Sequence, residues 1–314
     1  MTIKNCWIIT EGMAGTENQC IAVAEQLGAE YQIIRIGLKF PFNHLCPFIL
    51  KTTPRSHITG IDWNDDIPDL IIASGRKAVP VALQFKNAFT VFIQDPKIKS
   101  SYFDLVAAPQ HDNVKGDNVI HTVAAPNRIT VASLEKARTE FDFTYLPDKK
   151  IAILIGGNSK THSMNDNFGY ALFENLIPYM QSDDYGFMIT VSRRTPDHIA
   201  HHIRELFNDS ECEVWDEHGR NPYHAYLAHA DYILVTEDST SMLSDALTTG
   251  KPTYRLPLDG GSEKFTMLYQ NLKRRAKLSV FDGELKDIDY KPLRDAKMVA
   301  DEIKKRFESR ALSD

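Results

Sequence analysis

The segment VTEDSTSMLSDALTTGKP, residues 235–252, contains the residue types that hold a nucleotide. Acids and hydroxyls follow an apolar strand and lead directly into a helix, whose first turn offers free backbone N–H groups to a phosphate. Because acids repel a bare phosphate, Glu237 or Asp238 is better suited to accept hydrogen bonds from ribose or sugar hydroxyls. The candidate nucleotide-binding residues here are Glu237, Asp238, Ser239, Thr240, Ser241, Met242 and Asp245. A capping cluster alone would explain the serines but not the two adjacent carboxylates.

Two further strand ends in the second half add glycines and positive charge. Glycines let a ligand approach the backbone closely, and lysine and arginine attract phosphate. The residues are Gly156, Gly157, Asn158, Ser159 and Lys160 in one loop, and Ser192, Arg193 and Arg194 in the other. Paired arginines are often only a solvated charge run, but the end of a parallel strand favours a ligand.

The first half offers polar loops after its own strands. Gly12 and Gly15 flank a tight turn, and Thr16 is expected to cap a helix with Asn18 and Gln19 in its first turn. A simple strand–turn–helix joint explains this loop equally well. A third strand ends in Ser74, Gly75 and Arg76.

Asp95 and His111 are the first-half groups most able to move a proton. A lone loop histidine is more often structural or solvated, so these two are the weaker candidates for catalysis. The histidines form no HExxH-like pattern, and neither GxGxxG nor a P-loop occurs. We expect no metal and no cofactor.

Composition sets the class of protein. The 314 residues are 43% hydrophobic and 25% charged, which is typical of a soluble globular chain long enough for two domains. A net charge of −6 argues against nucleic acid as a partner, and four scattered cysteines without a CxxC pair argue against a disulfide or zinc framework. The N-terminus predicts a first strand rather than a secretory signal, and no apolar run is long enough to cross a bilayer. We expect a cytoplasmic protein.

Apolar, β-branched runs alternate with helix-period segments, which predicts strands buried on both faces of parallel sheets. The predicted strands are 6–10, 31–37, 69–74, 89–95, 103–109, 151–157, 186–192, 212–216, 232–237 and 253–258, and the clearest helices are 17–28 and 297–310. The repeated β-α-β pattern predicts an α/β fold of two Rossmann-like, doubly wound domains facing a cleft, residues 1–145 and 146–314. Their boundary is expected in the polar segment 143–150, and the last helix could pack on either domain.

Residues 37–55, GLKFPFNHLCPFILKTTPR, mix apolar side chains with lysine and arginine. An apolar patch rimmed with cations suits an anionic bilayer. A proline-interrupted loop that packs on its own domain explains the segment about as well.

The loops EGMAGTENQ, LIGGNSK and VTEDSTSMLSDALTTGKP resemble those of the elongated-mitochondria (mitochondrial-fission) family and its bacterial homologues. The similarity covers most of the chain and is weakest at 38–66 and 275–314. Members are also described as predicted nucleoside-diphosphate-sugar enzymes, with an architecture similar to the two-domain GT-B glycosyltransferases.

This resemblance implies a nucleoside-diphosphate-sugar donor on the second domain and an acceptor on the first. The acceptor-side residues are Gly12, Gly15, Thr16, Asn18, Gln19, Ser74, Gly75 and Arg76. Related sequences often have a histidine after the glycine of the first loop, where this chain has Thr16. Any proton transfer by that histidine is therefore lost at this position.

Three functions follow as alternatives. The first is a metal-independent, GT-B-like glycosyltransferase with an acceptor that could be lipid-linked, which would place the protein peripherally at the inner membrane face. The second is a nucleotide-sugar epimerase, which can use the same fold. The third is a non-catalytic interaction protein of the mitochondrial-fission type.

Overall fold

The computed structural model describes residues 3–45, 47–63, 67–208, 211–215 and 218–311. Two predicted segments extend beyond the described part. In 37–55 these include Cys46 and the side chain of Phe48, and in 212–216 it is Asp216. No helix within these ranges is both long and apolar enough to cross a membrane.

The strands alternate with helices along most of the chain. In chain order the strands are β1 Cys6–Thr10, β2 Tyr31–Arg35, β3 Gly37–Leu38, β4 Ile58–Thr59, β5 Leu70–Ser74, β6 Phe89–Ile93, β7 Leu105–Pro109, β8 Val119–Thr122, β9 Lys149–Ile155, β10 His162–Ser163, β11 Tyr185–Val191, β12 Cys212–Val214, β13 Tyr232–Thr236, β14 Thr253–Leu256, β15 Asp259–Gly260 and β16 Ser279–Val280. The helices are α1 Ala14–Leu27, α2 Pro47–Leu50, α3 Ala78–Ala82, α4 Val131–Glu140, α5 Phe168–Met180, α6 Asp197–Leu206, α7 Tyr223–His229, α8 Thr240–Thr249, α9 Glu263–Ala276 and α10 Asp295–Ala311.

The chain divides into two compact units. The first contains residues 1–128 together with 294–314, and the second contains residues 129–293. Residues 129–145, which the sequence analysis assigned to the first domain, cluster with the second unit. Helix α4 lies in this stretch and contacts α7 of that unit.

The first unit is built on a parallel sheet in the order β2-β1-β5-β6-β7-β8. Its central strands bury both faces: Trp7 and Ile9 belong to one cluster of buried side chains, and Cys6 and Ile8 to another. Helices α1 and α10 cover the second of these faces. The predicted last helix therefore packs within this unit, with residues such as Ile303 fully buried.

The second unit has a parallel sheet in the order β12-β11-β9-β13-β14-β16. Helices α5 and α6 supply Leu172 and Ile203 to a core shared with Ile153, while α7 and α8 contact β9 and β13. Two parallel sheets with flanking helices confirm the predicted α/β class of two Rossmann-like domains. In each sheet the carboxyl ends of the strands lie along one edge, which gathers the loops that follow them.

Local differences from the predicted elements have local causes. The predicted strand 31–37 ends at Arg35, and Gly37 starts a short antiparallel pair, β3 with β4. Helix α1 begins at Ala14, before the predicted start, and its N-cap residue is Met13. Thr16 does not cap the helix, because its hydroxyl lies inside the first turn and donates to the Met13 carbonyl at 2.9 Å.

Candidate functional site

Helix α8 begins directly beyond the carboxyl end of β13. Ser239 is its N-cap residue, and the Ser239 hydroxyl accepts a hydrogen bond from the Met242 N–H at 3.4 Å. Ser241 is exposed in the first turn and Thr240 is half-buried. The ten-residue helix thus presents hydroxyls and the positive end of its dipole at the edge where ligands bind in such sheets.

The glycine loop after β9 packs against this helix start. The Thr236 hydroxyl accepts from the Gly156 N–H at 2.6 Å, and the Thr195 hydroxyl donates to the Gly156 carbonyl. A Cβ atom at Gly156 would lie 2.3 Å from Oδ1 of Asp238, and one at Gly157 only 2.0 Å from the Arg194 carbonyl oxygen. Both positions therefore require glycine for close packing. The structure brings the three predicted donor loops together.

Asp238 links these loops through its carboxylate. Its Oδ2 accepts from the Gly157 N–H at 3.2 Å and lies 2.7 Å from the Arg194 guanidinium, and its side chain is fully buried. Among the described residues, Oδ1 has no hydrogen-bond partner. Burying a carboxylate is costly unless it is paired, so these contacts favour an anchoring role over the ribose-binding role expected from the sequence.

Glu237 is also occupied by partners within its own unit. Its carboxylate pairs with the Arg255 guanidinium and accepts from the Leu258 N–H at 3.0 Å. Glu237 is 6% exposed. Like Asp238, it is better placed to hold neighbouring loops than to meet a ribose.

A pocket of about 390 Å³ adjoins the glycine loop and the start of α8. Its walls come from the ends of β9 and β11, the segment after β12 and the first turn of α8. The lining residues are Ile155, Thr190, Val191, Ser192, Arg193, Trp215, Asn221, Tyr223 and Met242. Sequence reasoning found Ser192, Arg193 and Met242 but missed Trp215, Asn221 and Tyr223. The stretch WDEHGRNPY, which follows another carboxyl strand end with aromatic and polar residues, was the available signal.

Asp245 lies next to this pocket, where its Oδ2 accepts from the Tyr223 hydroxyl at 3.0 Å. Burial raises the pKa of Asp245 to about 7, although the hydrogen bond from Tyr223 opposes that shift. Burial, together with the neighbouring Asp245, also raises the pKa of Tyr223, so the phenol keeps its proton. With a pKa near 7, Asp245 can change its charge near neutral pH.

The rest of the glycine loop is held by hydrogen bonds to the backbone that follows it. Oδ1 of Asn158 accepts from the Met164 N–H at 2.8 Å, and the Ser159 hydroxyl accepts from the His162 N–H at 3.0 Å. Lys160 is exposed at the tip of the loop. These contacts give Asn158 and Ser159 a structural part and leave Lys160 and Arg193 as cations facing solvent.

In the first unit, the loops after β1 and β5 come together. Glu11 accepts from the Lys77 N–H at 2.9 Å and lies 3.3 Å from the Lys77 ammonium. Gly75 has a φ of +92°, and a Cβ there would lie 3.1 Å from the Glu11 carboxylate. Sequence reasoning missed Glu11 and Lys77, although both stand beside the predicted Gly12 and Arg76.

Several predicted acceptor-side residues make internal contacts instead. The Arg76 guanidinium donates to the carbonyls of Asn43, at 2.6 Å, and Leu45. The Ser74 hydroxyl donates to the Ile93 carbonyl at 3.0 Å. The Gln19 amide donates to the Gly15 carbonyl at 3.1 Å, whereas Gly12 and Asn18 remain exposed.

The two proposed proton-transfer residues follow neighbouring strands. Asp95 comes after β6 and pairs with the Lys97 ammonium at 2.6 Å. His111 sits in the single helical turn Gln110–Asp112 that follows β7. Within the described ranges, no group of three or more histidine, cysteine, aspartate or glutamate side chains could hold a metal ion.

Solved structures with the same architecture cover nearly the whole chain. The UDP-GlcNAc 2-epimerase from Methanocaldococcus jannaschii superposes with a TM-score of 0.55 at 12% identity, covering 96% of this chain and 100% of that one. The glycotransferase of kitacinnamycin gives a TM-score of 0.56 at 14% identity, with coverages of 98% and 94%. At such low identity the likeness shows a GT-B-like fold and nothing finer.

Sequence relatives identify the family. Uncharacterized protein RP120 of Rickettsia prowazekii is 31% identical over 96% of this chain and 98% of its own length. Mitochondrial fission protein ELM1 of Arabidopsis thaliana is 28% identical over 99% of this chain and 93% of its own length. The family model described as mitochondrial fission ELM1 matches residues 14–307. The resemblance found in the loops is thus confirmed, and the chain belongs to the mitochondrial fission ELM1 family.

Proposed function

We propose that this protein is a GT-B-like glycosyltransferase whose second unit holds a nucleoside-diphosphate-sugar donor. One observation carries the proposal: the 390 Å³ pocket abuts both phosphate-binding candidates, since Ile155 precedes the glycine loop and Met242 lies in the first turn of α8. The aromatic part of the pocket suits a base with its ribose, and the adjoining helix N-terminus and glycine loop suit the diphosphate.

Each part of the donor has a place in this arrangement. The base would pack against Trp215 and Tyr223, because aromatic side chains bind the flat face of any base. The ribose hydroxyls would donate to Asp245, which already accepts from Tyr223. The diphosphate would lie at the first turn of α8 beside Gly156 and Gly157.

The chemistry follows from that placement. Sugar transfer leaves extra negative charge on the departing nucleoside diphosphate, and fixed positive groups lower the energy of that state. Arg193, Lys160 and the N–H groups at the start of α8 would supply them without a metal ion. Asp95 and His111 of the first unit remain the proposed groups for taking the proton of the acceptor hydroxyl.

Two solved neighbours support a uridine nucleotide sugar as the class of donor. The Methanocaldococcus jannaschii epimerase was crystallised in complex with UDP-GlcNAc and UDP, and the Neisseria meningitidis epimerase was bound to UDP-GlcNAc. The same neighbours make nucleotide-sugar epimerisation the second candidate. A non-catalytic fission-type interaction protein is the third, and it predicts that the donor loops bind nucleotide weakly or not at all.

The candidates separate in one assay. The protein is incubated with UDP-GlcNAc and a cell extract as acceptor source, and the nucleotide pool is followed by NMR. A transferase releases free UDP, an epimerase yields an isomeric UDP-sugar, and an interaction protein changes neither. Lys149 is the control, because it starts β9 and so lies at the end of that strand away from the glycine loop. Release of UDP that is lost when Arg193 is replaced, but not when Lys149 is replaced, supports transfer. An isomeric UDP-sugar without UDP release rejects it.

The proposal extends to a lipid-linked acceptor at a membrane surface. Phe42 and Leu45 pack against the core of the first unit, but Phe40 is 78% exposed and Ile49 is 45% exposed. Lys39 adjoins Phe40, and a cation near an anionic surface contributes about 1 kcal/mol. Vesicle co-sedimentation tests this: Phe40→Ser should weaken binding to anionic vesicles, while Val131→Ser, at an exposed position of the second unit, should not. No binding of the native protein at low salt rejects a membrane role for the segment.

A further inference from the structure

The second unit has a second pocket of about 620 Å³, and among the described residues none lines both this pocket and the proposed nucleotide pocket. It lies along one face of α9, where Phe265, Tyr269 and Lys273 recur at helical spacing. Strands β14 and β16 and the loop before α9 bound the other side. Its volume is within the range of small-molecule sites, roughly 300–1,000 Å³.

Among the described residues that line this pocket, one cation has no acidic partner. Arg255 lines the pocket and is neutralised by Glu237, which it contacts directly. Lys273 is exposed at the pocket, and no carboxylate of the described residues lies within ion-pair distance of its ammonium. A ligand carrying a single acidic group would neutralise the charge of Lys273.

The wall beside the cations is rigid and aromatic. The Tyr269 hydroxyl lies 2.8 Å from the Glu237 carbonyl, to which it donates, and 3.2 Å from Nε2 of His162. The Arg255 guanidinium lies over the Tyr269 ring, 4.8 Å from its centre. Aromatic faces fixed in this way bind the apolar face of a sugar ring and lose little conformational freedom.

The remaining lining groups are small and polar. Gln270 and Ser279 offer an amide and a hydroxyl, which can both donate and accept hydrogen bonds. The Thr266 hydroxyl donates to the Ser262 carbonyl at 3.3 Å and can still accept. Such groups match the hydroxyls of a sugar, which also donate and accept. A purely apolar ligand would leave them unsatisfied, which is costly in a pocket.

From these observations we infer that this pocket is a second binding site for an anionic hexose, a sugar that bears a carboxylate or a phosphate. Lys273 meets the acidic group, the Tyr269 ring meets the sugar face, and the polar side chains meet the hydroxyls. Because the two pockets share no lining residue, a nucleoside diphosphate and this sugar can bind at the same time. The inference stands independently of whether the other pocket binds nucleotide.

Calorimetry on the full chain tests the site with four probes: D-glucuronate, D-glucose 6-phosphate, D-glucose and inorganic phosphate. We expect the two anionic sugars to bind, and D-glucose and phosphate to bind at least about tenfold more weakly, since hydrogen bonds to charged groups account for that difference. Binding of glucuronate alone, or of glucose 6-phosphate alone, identifies which acidic group the site takes. If phosphate binds as tightly as the anionic sugars, the sugar ring has no role and the inference fails.

Variants locate the binding. Lys273→Gln should weaken the anionic sugar by about tenfold or more, whereas Arg275→Gln removes the same charge from α9 outside the pocket and should change affinity less than about twofold. Saturating UDP should not displace the sugar. Equal losses in both variants, displacement by UDP, or no binding to the native protein would each overturn the inference.

Discussion

The fully buried carboxylate of Asp238 lies 2.7 Å from the guanidinium of Arg194, a residue on a different loop. The same carboxylate accepts from the Gly157 N–H, so one side chain joins the three loops proposed to hold the diphosphate. This ion pair therefore holds the three loops together, although neither Asp238 nor Arg194 lines the 390 Å³ pocket. Two substitutions separate the contribution of the cation to stability from that of the acid.

Removing the cation should cost more stability than neutralising the acid. Arg194→Gln leaves a buried carboxylate without its charged partner, and we expect a loss of about 2–4 kcal/mol in the free energy of unfolding. Asp238→Asn keeps an oxygen for the Gly157 N–H and returns Arg194 to water, so we expect about 1 kcal/mol. Urea unfolding of both variants measures this, and the reverse order would show that the pair does not anchor the loops.

The glycine loop should not tolerate side chains. In Gly157→Ala the new Cβ would meet the Arg194 carbonyl at 2.0 Å, so the backbone must move, at a cost of about 1–3 kcal/mol. Gly15→Ala is the control: it lies in α1 with open space around it, and we expect a gain of about 0.5–1 kcal/mol. Thermal unfolding compares them, and a Gly157→Ala protein as stable as the native chain would contradict the packing described.

Asp245 should make stability depend on pH. In the native protein its carboxyl keeps a proton up to about pH 7, whereas in the unfolded chain it loses the proton near pH 4. The native state therefore binds more protons in this window, and the free energy of unfolding should fall as pH rises from about 4 to 7. Urea titrations of the native protein against Asp245→Asn isolate the effect, and parallel pH profiles would rule it out.

The same ionisation should affect ligand binding. A deprotonated Asp245 accepts hydrogen bonds from ribose more strongly than a protonated one. Affinity for a nucleoside diphosphate should therefore rise as pH increases through about 7, and this rise should be smaller in Asp245→Asn. Calorimetry at several pH values tests it, with the variant correcting for ionisation of the nucleotide. Identical pH dependence in both proteins would exclude a ribose contact at Asp245.

The fold was largely predictable because parallel strands buried on both faces have an unmistakable pattern. The run 151–155 is apolar throughout, and Tyr232–Thr236 has one strongly polar side chain, its final threonine. The order of such runs along the chain predicts doubly wound sheets. Strand β8 was missed since its four residues include an exposed histidine, His121, and its strand state depends on pairing with β7. The short strand β16 depends in the same way on β14.

The structure of the candidate site was predictable where residue type alone decides it. Ser239 as the N-cap and the close-packed glycines 156 and 157 follow from residue type at a strand end. The roles of Glu237 and Asp238 could not be predicted, because their partners Arg255 and Arg194 are distant in sequence and meet them only through the sheet order. The Tyr223–Asp245 contact was missed for the same reason.

Metal-independent binding of nucleotide by the second unit is tested most directly by calorimetric titration of the native protein with UDP in the presence of EDTA, repeated for Arg193→Gln and Lys149→Gln. Both variants remove one exposed positive charge from the second unit, but only Arg193 lines the proposed nucleotide pocket. We predict that UDP binds to the native protein without a divalent metal. Its affinity should be about tenfold or more weaker for Arg193→Gln and within about twofold of native for Lys149→Gln. Absence of UDP binding to the native protein, or equal affinity of native and Arg193→Gln, would contradict it.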